Sequence, residues 1–121
     1  MKKLLDVMNI AGKTYSVQYN DTTATVIFQG SLRLSGAEEY EPIEQLLNNI
    51  AEQEPSSIVL DLQNLEFLNS SGISMLSKFV INVRKKKNIQ MHVIGSQEIP
   101  WQGKSLKNLQ RLMPSLKLEI T

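Results

Sequence analysis

The sequence predicts an α/β fold, a sandwich built on a mixed sheet of about five strands with helices mainly on one face. Three observations carry this. A leading hairpin is followed by a regular alternation of strand and helix patterns. A short unbroken apolar run, Ser57 to Leu62, sits between turn signals, as a central strand covered on both faces requires. Two stretches, Ile43 to Ile50 and Ile73 to Val83, repeat apolar residues at helical spacing.

In chain order, Met1 to Ile10 imitates a signal peptide for five residues. Asp6 and Asn9 then interrupt the apolar run, and no small-residue cleavage site follows. Residues 1–12 therefore read as an N-terminal extension, an extra edge strand or a short helix lying on the body, and not as an export signal or a membrane anchor. Tyr15, Val17 and Tyr19 alternate with Ser16, Gln18 and Asn20. After the Asn20-Asp21 turn, the β-branched run Thr23 to Phe28 completes a hairpin that Gly30 ends. Ser35-Gly36-Ala37-Glu38 fits a capping box, but Pro42 would break a helix already under way, so the regular helix is placed with Pro42 in its first turn. Ile43, Leu46, Leu47 and Ile50 then form one apolar stripe, and Pro55 with the serines behind it terminates the helix.

After the strand Ser57 to Leu62, a helix is expected from Ser71 to about Lys87. Its residues Ile73, Leu76, Val80 and Val83 face the sheet, while Met75, Phe79 and Asn82 line an adjoining face that has something else to touch. Ile89 to Ile94 reads as another strand, closed by Gly95. Leu106, Leu109 and Leu112 mark a third helix stopped by Pro114, and Leu116 to Ile120 reads as a last strand. No internal repeat or low-complexity segment interrupts this order.

A chain of 121 residues fits one domain, 1–121, able to bury a continuous core without metal or disulfide support. With 41% hydrophobic and 21% charged residues, neither disorder nor a membrane span is indicated. A net charge of +1 argues against nucleic-acid binding, which needs a strong basic excess. The absence of cysteine removes disulfides, thiolate zinc sites and cysteine nucleophiles, and suits a reducing cytoplasm.

Catalysis finds no support. The lone histidine, His92, lies within a strand and is read as half exposed; no Gly-x-Ser-x-Gly elbow accompanies it, and one histidine cannot assemble a metal cluster. Asp61 is read as ordering the turn that follows it. Arg84 to Lys87 is read as a solvated helix end whose cations complement the helix dipole, and Trp101 as a lid over the edge of the core. No nucleotide-binding glycine motif occurs, so the chain is expected to be no enzyme and to hold no cofactor or metal.

One segment carries more information than the rest. In Ile58 to Ile73, an apolar strand ends in Asp61-Leu62, a short loop places Phe67 and Leu68 at apolar positions, and Asn69-Ser70-Ser71-Gly72 opens an amphipathic helix. This resembles the STAS domain, the fold of bacterial anti-sigma-factor antagonists. Phe28-Gln29-Gly30-Ser31-Leu32 looks like the family's turn after the second strand, with Ser31 and Arg33 where acids are usual. Asn69 stands where the family has Asp, and the family's final helix is missing.

The resemblance implies a single-domain, cytoplasmic partner-switching regulator in signal transduction. Ser70 is implied as the phosphorylated residue, with Ser71 as the alternative and the neighbouring cap. It further implies a protein partner, either a serine kinase acting as an anti-sigma factor or a signalling cyclase, together with a cognate kinase and phosphatase. Regulators similar to this chain in having Asn before the hydroxyl pair act on other effectors, including nucleotide (diguanylate) cyclases. The expected partner-binding residues are Asn69, Ser70, Ser71, Gly72, Met75 and Phe79.

Physics alone leaves two readings open. A helix beginning near Ser71 has unpaired first amides and a partial positive end, so either serine, or Asn69, can simply cap it in a constitutive scaffold module. Equally, a phosphate there adds roughly −1.5 to −2 charges that the helix end tolerates and a docked partner does not. A small-ligand or nucleotide-binding role is conceivable, but no residue pattern calls for it.

Overall fold

The structure, a computed structural model, describes residues 9–121. Within them one sheet runs in the order β1 (Asn9–Ala11), β2 (Tyr15–Asn20), β3 (Thr25–Leu32), β4 (Ser57–Leu68), β5 (Gln90–Gly95) and β6 (Lys117–Ile120). The first three strands are antiparallel neighbours; β3 to β6 are parallel. Parallel neighbours require crossovers, which are α1 (Gly36–Glu52), α2 (Ser70–Lys86) and α3 (Gln102–Leu112). The α/β class and the mixed sheet are as expected, with six strands in place of about five.

The sixth is the edge strand β1, where Asn9, Ile10 and Ala11 pair with Gln18, Val17 and Ser16. The expected extension thus includes an edge strand, and the rest of it, residues 1–8, lies outside the described residues.

The helices lie in one layer on one face. Ile58, Leu60 and Leu62 of β4 and Met91 and Val93 of β5 are buried beneath them, along with Val26 and Phe28 of β3. On the opposite face Ile27, Val59, Asp61, His92 and Ile94 are half-buried. The expectation that Ser57 to Leu62 is covered on both faces therefore fails: its apolar character on the second face comes from Val59 alone, while Asp61 and Gln63 alternate with it.

Two local boundaries also differ from expectation. α1 begins at Gly36, six residues before Pro42. Pro42 removes the bond to the Glu38 carbonyl, but both residues are exposed, so that carbonyl is open to solvent and the helix tolerates the loss. Ser35 makes no side-chain cap, and its N–H donates to Glu39 Oε1 at 2.9 Å, so the acid that reaches back is one residue beyond the Glu38 of the expected capping box.

The strand β4 continues to Leu68, through residues that read as loop. Two register shifts against β3 bend it: Ile27 pairs with Asp61 but Gln29 with Asn64, and Gly30 pairs with Leu65 but Ser31 with Phe67. Asp61 fixes the first, its Oδ1 accepting from the Gln63 N–H at 3.1 Å and the Gln63 Nε2 at 3.2 Å. It orders the following residues as expected, inside a strand.

β5 pairs with β4 only from Ser57 to Asp61, so the far half of β4 has no strand on that side. Gln102, fully buried, fills the gap. Its Nε2 donates to the Leu62 and Leu65 carbonyls at 2.6 and 3.0 Å, and its Oε1 accepts from the Ser96 N–H at 2.7 Å. Trp101 Nε1 also donates to Leu65, at 3.2 Å, which makes this half-buried indole the expected lid.

Candidate functional site: the serine loop

Leu68 ends β4, and the chain turns directly into α2 with Asn69 as N-cap. The Asn69 side chain is used at both ends. Its Oδ1 accepts from the Gly72 N–H at 3.0 Å and from the Tyr40 hydroxyl at 2.7 Å, while its Nδ2 donates to the Leu34 carbonyl at 2.8 Å. Because the Gly72 N–H can only donate, the amide orientation is fixed. One side chain thereby ties α2, α1 and the segment after β3 together. An Asp in its place would keep both accepted bonds but turn an oxygen toward the Leu34 carbonyl, so asparagine is the residue this geometry requires.

Gly72 is set by close approach. A Cβ there would collide with Leu68 Cδ1 and lie 2.7 Å from the Tyr40 hydroxyl oxygen. The glycine lets α2 start against the buried Tyr40, which is 1% exposed.

Of the three candidate capping side chains it is Asn69 that caps, and neither serine does. Ser70 is exposed and Ser71 half-buried, and no side-chain hydrogen bond joins either hydroxyl to a described residue. Ser70 occupies the first helical position, where backbone N–H groups lack intrahelical partners and the dipole is positive.

Removing the Asn69 side chain takes away the cap and strands the Leu34 carbonyl. Asn69→Ala is expected to lower stability by about 2 kcal/mol in denaturant titration.

Tyr40 predicts a pH effect. Burial pushes its pKa above the usual 10.0, with a backbone hydrogen bond at Leu34 acting the other way and Tyr15 adding to the rise. Tyr19 is raised as well, by burial and then by Asp21. Raised phenols favour the folded state fully below pH 10 and lose that contribution as pH climbs through their folded values. The melting temperature is therefore expected to fall above pH 10, and Tyr40→Phe to flatten part of that slope.

The model of the STAS domain family matches residues 16–112. The chain belongs to the STAS domain family. Among solved structures, SiaC of Pseudomonas aeruginosa is similar to this STAS domain at 12% identity and a TM-score of 0.70, over 93% of this chain and 95% of that one. A chain of the complex of the diguanylate cyclase SiaD with its activator SiaC, from Pseudomonas aeruginosa, gives 13% identity and 0.71, over 94% and 98%. An anti-sigma factor antagonist from Mycobacterium paratuberculosis gives 20% identity and 0.64, over 88% of each chain. A comparison with curated protein sequences finds no match.

In this STAS domain Asn69, Ser70, Ser71 and Gly72 come together at the carboxyl end of β4, as their adjacency dictates. Met75 and Phe79 do not join them as a docking face. They are 2% and 3% exposed, because α2 packs against α1 and α3 as well as the sheet and so buries more than one stripe. The something else that their face touches is α1: Leu47 and Asn48 lie across a shallow groove of about 230 Å³ from Met75 and Phe79. Asn82 Nδ2 meets Asn48 Oδ1 at 3.5 Å on the same side. The two apolar residues can serve a partner only as the floor of that groove.

Residues assigned to structural roles keep them. His92 is half-buried with Nε2 3.2 Å from Glu119 Oε1. Arg84 donates to the Leu112 carbonyl at 2.9 Å, and Lys86 lies 3.7 Å from Glu52. A larger cavity, about 680 Å³, opens beside Ser57, Gln90 and Lys117 at the opposite end of β4 from Ser70. Among the described residues no His, Cys, Asp and Glu cluster is placed to hold a metal, and no helix is long and apolar enough to cross a membrane.

Phe67, expected at an apolar position of a loop, instead stands exposed near the end of a strand. It is the penultimate residue of β4, 38% exposed, with the Arg33 guanidinium carbon 4.4 Å from its ring centroid. Only the register that sets Ser31 opposite Phe67 brings the two together.

Proposed function

We propose that this chain is a cytoplasmic, protein-binding regulator, a single STAS domain over 1–121 whose docking is switched at Ser70. With Ser70 unmodified, it binds a signalling protein through Asn69 to Gly72 and the first turn of α2; phosphorylation releases it. The observation that carries the reading is that Asn69 caps α2, which leaves the exposed Ser70 hydroxyl with no structural task. The chain performs no chemistry of its own, and a separate kinase and phosphatase write and erase the mark.

The partner is either a serine kinase acting as an anti-sigma factor or a nucleotide cyclase. Proteins of this fold give a precedent for both kinds of circuit: one similar structure is an anti-sigma factor antagonist, and SiaC is the activator of the diguanylate cyclase SiaD. The cyclase is the second reading, motivated by the asparagine at position 69 where the family usually has an acid, as in similar regulators that act on effectors other than anti-sigma factors.

Affinity capture on the unmodified chain, with an unrelated protein as the subtractive control, identifies the partner, and titration of Ser70→Asp against it then tests the switch. Phosphopeptide mapping in the native cell should find Ser70 modified, and finding neither Ser70 nor Ser71 modified in any growth state would sink the switch.

A further inference from the structure

We propose that the stacked Arg33 and Phe67 side chains anchor the partner beside the serine loop, and that the partner offers them an apolar recess edged by a carboxylate. This rests on the docking role proposed for the Ser70 loop and names the chemistry that such a partner brings to it.

Among the described residues Phe67 alone leaves a large apolar side chain exposed. Scattered single exposures are ordinary, but this one lies three residues before Ser70, at the same end of β4. The next residue along each strand, Leu68 after Phe67 and Leu32 before Arg33, is buried under the helices. Alternation therefore sends Phe67 and Arg33 to the other side of the sheet's rim, side by side. A partner covering Ser70 from the strand ends meets this pair at its border.

Aromatic and arginine side chains dominate the energetics of protein interfaces when they enter a desolvated pocket. Stacking helps in a second way. The cation over the ring restrains both side chains before binding, so less rotamer freedom is lost on docking. A guanidinium lying flat on a ring still presents its N–H edge outward, a planar fork that matches a carboxylate with two parallel hydrogen bonds. No ion pair joins Arg33 to a described acid, so that fork remains open to a partner. The ring calls for an apolar recess and the fork for an acid at its lip.

The test uses the protein that affinity capture on the unmodified chain retains, purified and titrated calorimetrically. Phe67→Ala is expected to weaken binding by about thirtyfold, and Phe67→Tyr to restore most of it. Arg33→Gln should weaken it about tenfold, Arg33→Glu by more, and Arg33→Gln should also reduce the salt dependence of the affinity. Both positions are exposed, and circular dichroism melts confirm that each variant folds; Arg33→Glu, which keeps the ring, decides the matter if Phe67→Ala does not fold.

Wild-type affinity in Phe67→Ala and Arg33→Glu, with binding lost in Ser70→Asp, overturns this proposal and leaves the switch standing. Unchanged affinity in Ser70→Asp itself counts against the switch. Sedimentation provides the remaining check: a wild-type dimer that Phe67→Ala dissociates would assign the pair to a second copy of this chain and overturn the proposal.

Discussion

Placing a charge at position 70, by Ser70→Asp or by phosphorylation, is expected to weaken partner binding more than a hundredfold while the domain keeps its melting temperature within a few degrees. The two halves of that expectation have separate causes. In the free domain Ser70 is exposed at the first helical position, and a negative group there is favoured by the α2 dipole by roughly 0.3–1 kcal/mol. Nothing folded has to move. In the complex the same group loses its water, and burying an uncompensated anion costs several kcal/mol. Since about 1.4 kcal/mol is tenfold in affinity, even 3 kcal/mol exceeds a hundredfold.

Ser70→Ala supplies the contrast. Its hydroxyl bonds no described residue, so both affinity and stability should stay close to wild type. Calorimetric titration and a thermal melt on the three proteins measure both halves. An Asp variant that binds as wild type leaves the serine loop a scaffold, whatever else the chain does.

The largest expected loss of stability comes from Gln102→Leu, at about 3 kcal/mol. The substitution nearly conserves volume but removes every polar atom. The Leu62 carbonyl then has no replacement partner, the Ser96 N–H loses its acceptor, and Leu65 keeps only Trp101. Each buried group left unpaired costs about 1–3 kcal/mol. For a domain whose total stability is of order 5–15 kcal/mol, this is a large fraction. A domain of this size shifts by roughly 3–6 °C per kcal/mol, so the melting temperature should drop by roughly 9–18 °C. A Gln102→Leu protein that melts with wild type would show that water reaches these groups and that the glutamine is dispensable.

Gln102 also marks where sequence reading stops. The partners of its side chain lie up to 40 residues away, and no local pattern around Gly103 and Lys104 distinguishes it from a solvent-facing glutamine at the start of a helix. By contrast, α2 was legible almost to the residue, because its apolar stripe and opening Ser-Ser-Gly are local signals. The far half of β4 was not. Gln63, Asn64 and Glu66 read as turn residues, and the two bulges that keep them in the sheet destroy the period-two alternation by which strands are recognised. For β1 the sequence left an edge strand and a short helix both open, since a strand of three residues is decided by its pairing with β2 and not by a pattern of its own.

At the serine loop, the motif located Asn69 to Gly72 but could not assign the cap among three candidate side chains. Tyr40, 29 positions earlier, makes that assignment. Met75 and Phe79 show the converse error. Extra apolar positions on a helix do indicate another contact, but whether the neighbour is a partner protein or α1 depends on tertiary packing that periodicity does not encode.

The two halves of β4 differ in how firmly they are held. From Val59 to Asp61 the strand is laced to β3 on one side and β5 on the other, whereas from Leu62 onward the second lace is replaced by the side chains of Trp101 and Gln102 at the start of α3. Amide hydrogens in the first half should exchange only when the whole molecule opens, and those in the second half through smaller, cheaper excursions. The serine loop thus hangs from the looser length of its central strand, and under the switch proposed above a modifying enzyme would draw Ser70 toward itself without disturbing the core that keeps the protein folded.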